Sequence, residues 1–170
     1  MKRAFLVFVL GLVISAPASA QWTSSVSTDE MTGKRQAYAH SPQVGPTRPM
    51  PFPYTGTRAW LGFGCNGQDE WAYVGFSNQP NLINTETRDG YHAFSTRVKF
   101  DDQVYTMDFT QKWGDSFLEF DDDEATIARI LTTGSALLEL DWYSSGVVYF
   151  RFSLRGSSAA IAKARAVCFN

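Results

Sequence analysis

Hydrophobic and polar residues alternate along most of the chain from residue 59 onward, and this two-residue period is typical of strands with one buried face. The alternating segments are residues 59–65, 71–76, 94–100, 105–109, 138–142 and 148–152. The last two flank Tyr143-Ser144-Ser145-Gly146, and a polar turn ending in glycine between aromatic-rich strands predicts a β-hairpin. By the same alternation, Trp142 is expected to be buried with Leu138 and Leu140.

Two short segments have the period of an α-helix instead. In the first, an acidic run at residues 121–124 precedes an apolar stripe that begins at Ile127, and carboxylates are favoured in the first turn of a helix. The second extends from Ser157 to about Val167, with Ser157 or Ser158 as its expected cap. Its apolar face would consist of Ala160, Ile161, Ala164, Val167 and Cys168.

This order of elements predicts a fold class. Many short strands with two short helices, one of them C-terminal, are typical of a mainly β protein. We therefore predict an antiparallel β-sandwich of two sheets, and a partly closed barrel is the alternative.

The first twenty residues differ from the rest of the chain. Two basic residues precede an apolar run at residues 5–14, and Ala18-Ser19-Ala20 follows with small side chains. Such a segment is typical of a secretory signal peptide, and an apolar run of about ten residues is too short to span a bilayer. We predict a signal peptide at residues 1–20, a single domain at residues 21–170 and a location in the periplasm or outside the cell, with no membrane insertion after cleavage.

Prolines are concentrated just before the alternating strands. They are Pro42, Pro46, Pro49, Pro51 and Pro53. Because proline has a fixed φ and no backbone N–H, residues 41–58 are predicted to form an extended loop with polyproline II character. The spacing of Pro46 and Pro49 also suits docking to an aromatic groove, and an exposed linker has the same composition.

Charge and composition exclude several classes of protein. Residues 1–20 hold two of the 15 basic residues and none of the 17 acidic ones, so the predicted domain has a net charge of −4. A mildly acidic domain lacks the electrostatic footprint for nucleic acid or an anionic membrane, and we expect neither as a partner. A hydrophobic content of 44% is too high for a disordered chain.

Cys65 and Cys168 are the two cysteines of the chain. In an oxidising compartment two cysteines most simply form one disulfide, which would join an early strand to the end of the second helix. The alternative is a thiol pair with a redox or metal-binding role. Because neither cysteine lies in a C-x-x-C motif or near a histidine in sequence, the structural disulfide is favoured.

No set of residues has the spacing of a catalytic or metal site. The acids at residues 121–124 are consecutive and lack the glycine turn of a calcium loop, so helix capping explains them better. His40 and His92 are too few for zinc, and no serine lies in a nucleophile elbow. We expect no catalytic residues, no metal, no cofactor and no enzymatic activity; a carboxylate pair acting on a glycosidic bond stays open as an alternative.

Three aromatic residues occupy strand positions that alternate with the apolar set. Trp60, Trp71 and Tyr73 would therefore face away from the core of a one-sided sheet. Together they would form an aromatic patch for a protein partner or a glycan. In the alternative, the proline-rich loop covers this side of the sheet.

Several short motifs, in order along most of residues 22–170, resemble those of a known family. They are Trp22 followed by Asp29-Glu30-Met31-Thr32, then Leu61-Gly62-Phe63-Gly64-Cys65, Thr96-Arg97-Val98-Lys99-Phe100-Asp101, Trp113-Gly114-Asp115-Ser116, and Phe152-Ser153-Leu154-Arg155-Gly156 before a helix that ends at Cys168. Together they resemble the periplasmic accessory proteins associated with type VI secretion, the VasI or TagO-like family. The resemblance implies an exported β-sandwich with a Cys65–Cys168 disulfide and a non-catalytic accessory role.

These expectations combine into one functional hypothesis. The chain is predicted to be an exported, non-catalytic accessory or binding protein of the cell envelope, linked to a secretion apparatus. Its partner would be an envelope protein or peptidoglycan, bound through Trp60, Trp71 and Tyr73. The alternative is an inhibitor of cell-wall hydrolysis, or an enzyme that acts on cell-wall polymers.

Overall fold

The computed structural model describes residues 21–169, and the predicted signal peptide at residues 1–20 lies outside them. Ten strands and two helices follow one another along the described residues. They are β1 (Thr23–Thr28), β2 (Arg35–His40), β3 (Ala59–Cys65), β4 (Glu70–Phe76), β5 (Glu86–Arg88), β6 (Tyr91–Phe100), β7 (Gln103–Lys112), β8 (Phe117–Phe120), α1 (Asp123–Thr132), β9 (Ser135–Trp142), β10 (Gly146–Ser153) and α2 (Ser157–Cys168).

All ten strands belong to one antiparallel sheet, in the order β1-β2-β3-β4-β8-β7-β6-β9-β10, with β5 paired to β6 beside this path. The predicted class is confirmed: the protein is mainly β and antiparallel, with two helices, one of them C-terminal. The sheet curls strongly, since Phe76 of β4 and Phe150 of β10 have ring centroids only 5.5 Å apart. Its two halves face each other like the layers of a sandwich, but they are continuous rather than two separate sheets.

The first part of the proline-rich loop connects strands that are far apart in the sheet order. Val44 forms an antiparallel bridge with Ala59 of β3, and Pro46 forms one with Phe150 of β10. Residues 41–58 form no regular strand or helix. The loop nevertheless closes the gap between β3 and β10 through these two bridges.

Aromatic side chains from both halves of the sheet dominate the core. The largest fully buried ones are Trp142, Phe63, Phe100, Phe109, Phe150 and Phe152. Trp142 is buried with Leu138 and Leu140, as the alternation predicts. The proline-rich loop adds Met50 to this core, and its Tyr54 packs edge-on against Trp142 with ring centroids 5.4 Å apart.

The acidic run at the start of α1 has two structural roles. Asp122 is the N-cap residue, and its carboxylate accepts a hydrogen bond of 3.0 Å from the Ala125 N–H, which confirms the predicted capping. The carboxylate of Asp123 instead accepts a hydrogen bond of 2.7 Å from the Ala72 N–H. Because Ala72 lies in β4, this bond ties the start of α1 to the strand that carries two of the predicted binding residues.

The predicted serine cap of α2 is wrong. Its N-cap residue is Gly156, at a φ of 88°, and no side chain caps the helix. The Ser157 hydroxyl donates a hydrogen bond of 2.8 Å to the Ile130 carbonyl, and the Ser158 hydroxyl donates one of 3.2 Å to the Leu131 carbonyl. Both serines therefore satisfy carbonyls left free at the end of α1, because the two helices meet there.

Ser157→Ala is expected to lower the free energy of unfolding by about 1 kcal/mol, because it removes a buried hydrogen bond to a helix-end carbonyl. Ser158→Ala is the matched control, since its bond is longer and exposed and its loss should be less than about half as large. Urea denaturation of the wild type and both variants measures the two losses. Equal losses in the two variants would contradict this assignment.

A disulfide joins Cys65 at the end of β3 to Cys168 at the end of α2, with their Cα atoms 6.1 Å apart. This pairing matches the one predicted. Next to it, the Arg165 guanidinium donates two hydrogen bonds of 2.6 Å to the Glu70 carboxylate of β4. Both links hold α2 against the sheet, where its apolar face is buried at Ala160, Ile161 and Ala164.

Candidate functional site

Trp60, Trp71 and Tyr73 lie on the outer face of β3 and β4, since the residues that alternate with them form the core. The register places each of them directly across from a glycine of the neighbouring strand. The pairs are Trp60 with Gly75, Tyr73 with Gly62, and Trp71 with Gly64. The structure therefore brings the three predicted residues together on one face, in a regular cross-strand pattern.

Each of these rings lies against the glycine backbone opposite it. An added Cβ would lie 2.3 Å from the Trp71 ring at Gly64, 2.2 Å from the Tyr73 ring at Gly62 and 2.3 Å from the Trp60 ring at Gly75. These distances are far below van der Waals contact, so only glycine lets the rings approach so closely. A strand glycine has no side chain to pack, and a covering aromatic ring offsets that loss.

Two further aromatic residues extend this surface. Tyr38 of β2 packs edge-on against Trp71, with ring centroids 6.0 Å apart. Phe117 of β8 packs edge-on against Tyr73 at 5.5 Å and against Trp60 at 6.2 Å. Edge-to-face pairs of this kind contribute about 0.5–1.5 kcal/mol each beyond their burial. We call these five residues the aromatic platform.

The aromatic platform is partly open to solvent. Phe117 is 39% exposed, Tyr38, Trp60 and Trp71 are half-buried, and Tyr73 is buried. Burial raises the pKa of Tyr73 to about 12, so its hydroxyl stays protonated over the physiological range. The proline-rich loop makes the contacts described above with β3, β10 and the core, and the side chains of Tyr38, Trp60, Trp71 and Phe117 keep part of their surface exposed.

Two carboxylates border the platform. They line a cavity of about 290 Å³ together with four of its rings; the lining residues are Tyr38, Trp71, Tyr73, Asp115, Phe117 and Glu119. Glu119 of β8 lies directly across from Tyr73 of β4. Desolvation raises the pKa of Glu119 above its ordinary value, and the negative charges of Asp115 and Asp123 add to the rise. The site thus combines aromatic surface with negative charge.

Sequence reasoning missed four residues of this site, namely Tyr38, Asp115, Phe117 and Glu119. The segment Ala37-Tyr38-Ala39 contains a signal, because two small buried residues flank an outward-facing tyrosine. Gly62, Gly64 and Gly75 are a signal only for the three rings already predicted, since a strand glycine leaves bare backbone on which a ring can lie. Nothing in the sequence places β8 beside β4.

The histidines weighed as candidates have local partners. The His40 ring lies 3.2 Å from the Thr23 hydroxyl and 3.2 Å from the Ser41 carbonyl. The His92 ring packs against Trp113, with ring centroids 5.9 Å apart. Among residues 21–169, no group of three or more His, Cys, Asp or Glu side chains could hold a metal ion. No helix in this part of the chain is long and apolar enough to cross a membrane.

A second concave region lies where β6 separates from β9. Two adjoining cavities of about 280 Å³ each share Asn84, Phe94 and Ser95. The Asn84 amide donates a hydrogen bond of 2.8 Å to the Asp141 carboxylate, and the Ser95 hydroxyl donates one to the Asp108 carboxylate. Because these polar groups bond to one another, the aromatic platform with its bordering carboxylates is the stronger candidate.

Comparison with known proteins gives no independent guide to this site. Models of known protein families, curated proteins and solved structures all gave no match to the chain. The resemblance to the VasI or TagO-like family therefore stays a prediction from short motifs.

Proposed function

We propose that this chain is an exported, non-catalytic binding protein of the cell envelope, and that its partner binds at the aromatic platform. The observation that carries the proposal is a set of five aromatic rings, partly open to solvent, three of which are packed over glycines of the sheet. The signal-like segment at residues 1–20 supports export to the periplasm or the medium. The motif resemblance supports an accessory role linked to a secretion apparatus.

The platform suits binding because its rings are held in place before a partner arrives. Tyr38 and Phe117 support Trp71 and Tyr73 from the side, and the glycine backbone supports them from below. A ring that is already fixed loses little conformational entropy on binding, which is one reason why aromatic residues dominate binding hot spots. Regular strands also hold side chains more rigidly than loops do.

Trp71→Ala is expected to weaken partner binding at least about tenfold, because a half-buried tryptophan on a binding surface is a typical hot spot. The protein is expressed with residues 1–20 in place and recovered from the periplasmic fraction or the medium, which tests export. Binding is measured by pull-down from an envelope extract and by co-sedimentation with purified peptidoglycan.

Tyr143→Ala is the matched control for this experiment. Tyr143 is 58% exposed in the turn between β9 and β10, away from the platform, so its removal should leave binding unchanged. Recovery of neither a protein nor peptidoglycan by the wild type would contradict the proposed function. Equal losses for Trp71→Ala and Tyr143→Ala would contradict the role of the platform.

A further inference from the structure

The cavity at the platform lies at the small end of the sizes of ligand sites. Its volume is about 290 Å³, and its lining consists of four aromatic rings and the carboxylates of Asp115 and Glu119. Sites for drug-sized ligands usually measure about 300–1,000 Å³, so this cavity lies just below their range. One long side chain of a larger partner fits within this volume.

Among residues 21–169, the two carboxylates at this cavity form no ion pair with a lysine, arginine or histidine side chain. Within residues 21–169 the Glu119 carboxylate has no hydrogen bond or ion pair, and the Asp115 carboxylate accepts one bond, of 2.6 Å, from the Ser116 N–H. The charge of Asp123 at the start of α1 also acts on Glu119, and Lys112 of β7 offsets part of this field. Three carboxylates against one ammonium leave a net negative charge at the site.

Aromatic rings and carboxylates attract the same kind of ligand. The face of an aromatic ring carries partial negative charge, so an ammonium or guanidinium group is favoured both over the rings and beside the carboxylates. This protein already contains such a pair, since the Arg129 guanidinium lies 4.3 Å from the Tyr105 ring centroid. A neutral sugar would stack on the platform and donate hydroxyl hydrogen bonds to the carboxylates, but it carries no positive charge to offset theirs.

We propose that this cavity binds a lysine or arginine side chain of a polypeptide partner, with the aliphatic stem against Trp71 and Tyr73 and the charged end at Asp115 and Glu119. The inference rests on the proposed function, because it names the chemistry of the partner bound at the platform. A polypeptide presents such a group on a long apolar stem, so the charge reaches the carboxylates while the backbone stays over the open sheet face.

The probe is a short capped peptide with two lysines separated by glycine, titrated against the isotope-labelled exported protein by NMR. We expect the indole N–H signal of Trp71 to shift on binding, and acetylation of both lysines to raise the dissociation constant at least tenfold. Glu119→Gln should raise the dissociation constant about tenfold, because this substitution removes one negative charge from the cavity. Glu124→Gln is the control, since Glu124 is exposed on α1 and does not line the cavity.

The affinity should also depend on pH in a defined direction. Desolvation and the charges of Asp115 and Asp123 raise the pKa of Glu119, and Lys112 opposes them. Glu119 therefore loses its charge at a higher pH than a freely exposed glutamate, so affinity falls as the pH is lowered through this raised pKa. Glu119→Gln should lose most of this pH dependence, a result that a purely structural role of Glu119 would not produce.

The outcomes separate this inference from the proposed function. Equal affinity for the free and acetylated lysine peptides, or an unchanged dissociation constant in Glu119→Gln, overturns the inference. Peptidoglycan retained through Trp71, with no binding of the lysine peptide, also overturns it and leaves the proposed function standing. Loss of every partner in both sets of experiments contradicts both.

Discussion

Opening the Cys65–Cys168 disulfide will lower the free energy of unfolding by about 4–5 kcal/mol. The two cysteines are 103 residues apart, and closing a loop of about 100 residues restricts the unfolded chain by about 4.7 kcal/mol in the chain-entropy model. Domains have a total stability of about 5–15 kcal/mol, so this one link provides a large fraction of the total.

The reduced protein should nevertheless remain folded at low denaturant, because other contacts hold α2. Ile161, on the inner face of this helix, is fully buried, and Arg165 stays paired with Glu70. Guanidinium denaturation with and without reductant measures the loss, and the variant Cys65→Ala/Cys168→Ser is the control in which reductant should have no effect. A wild-type midpoint that does not move when both thiols become titratable would contradict the prediction.

The strands could be predicted because burial on one face imposes a two-residue period on the sequence. Residues 138–142 show this, and Trp142 is fully buried as expected. The order of the strands could not be predicted, since β4 pairs with β8 and β6 pairs with β9 across long connections. The wrong serine cap has a related cause: local propensity favours Ser157 as a cap, but the packing of α2 on α1 directs its hydroxyl to Ile130.

Part of the candidate site could also be predicted from the sequence, because the two-residue period of a strand fixes which residues face outward. The alternation that buries Leu61 and Val74 turns the neighbouring aromatic residues outward, so the outer face of β3 and β4 could be inferred. The bordering charge could not, because Glu119 reaches Tyr73 only through the β4–β8 pairing. The bridges of the proline-rich loop to β3 and β10 were equally hidden, since proline content predicts an extended backbone but not its neighbours.

Gly64→Ala is expected to displace the Trp71 ring, lower the free energy of unfolding by about 1–3 kcal/mol and weaken partner binding as much as Trp71→Ala does. The added Cβ would lie 2.3 Å from the indole, while Tyr38 packs edge-on against the same ring. Gly45→Ala is the control, because its Cβ would come no closer than 3.7 Å to the Arg58 guanidinium and its φ lies outside the left-handed region. Denaturation and the binding assay should leave Gly45→Ala close to the wild type.

The double variant Gly64→Ala/Trp71→Ala isolates the contact between the ring and the backbone. Once the indole is gone, alanine at position 64 should be neutral or stabilise the strand by up to about 0.5–1 kcal/mol, because glycine is unfavourable within a strand. The two substitutions should therefore be non-additive by about 1–3 kcal/mol in a double-mutant cycle. Additive losses would mean that the indole does not rest on this glycine, and the support that holds the aromatic platform ready for a partner would be absent.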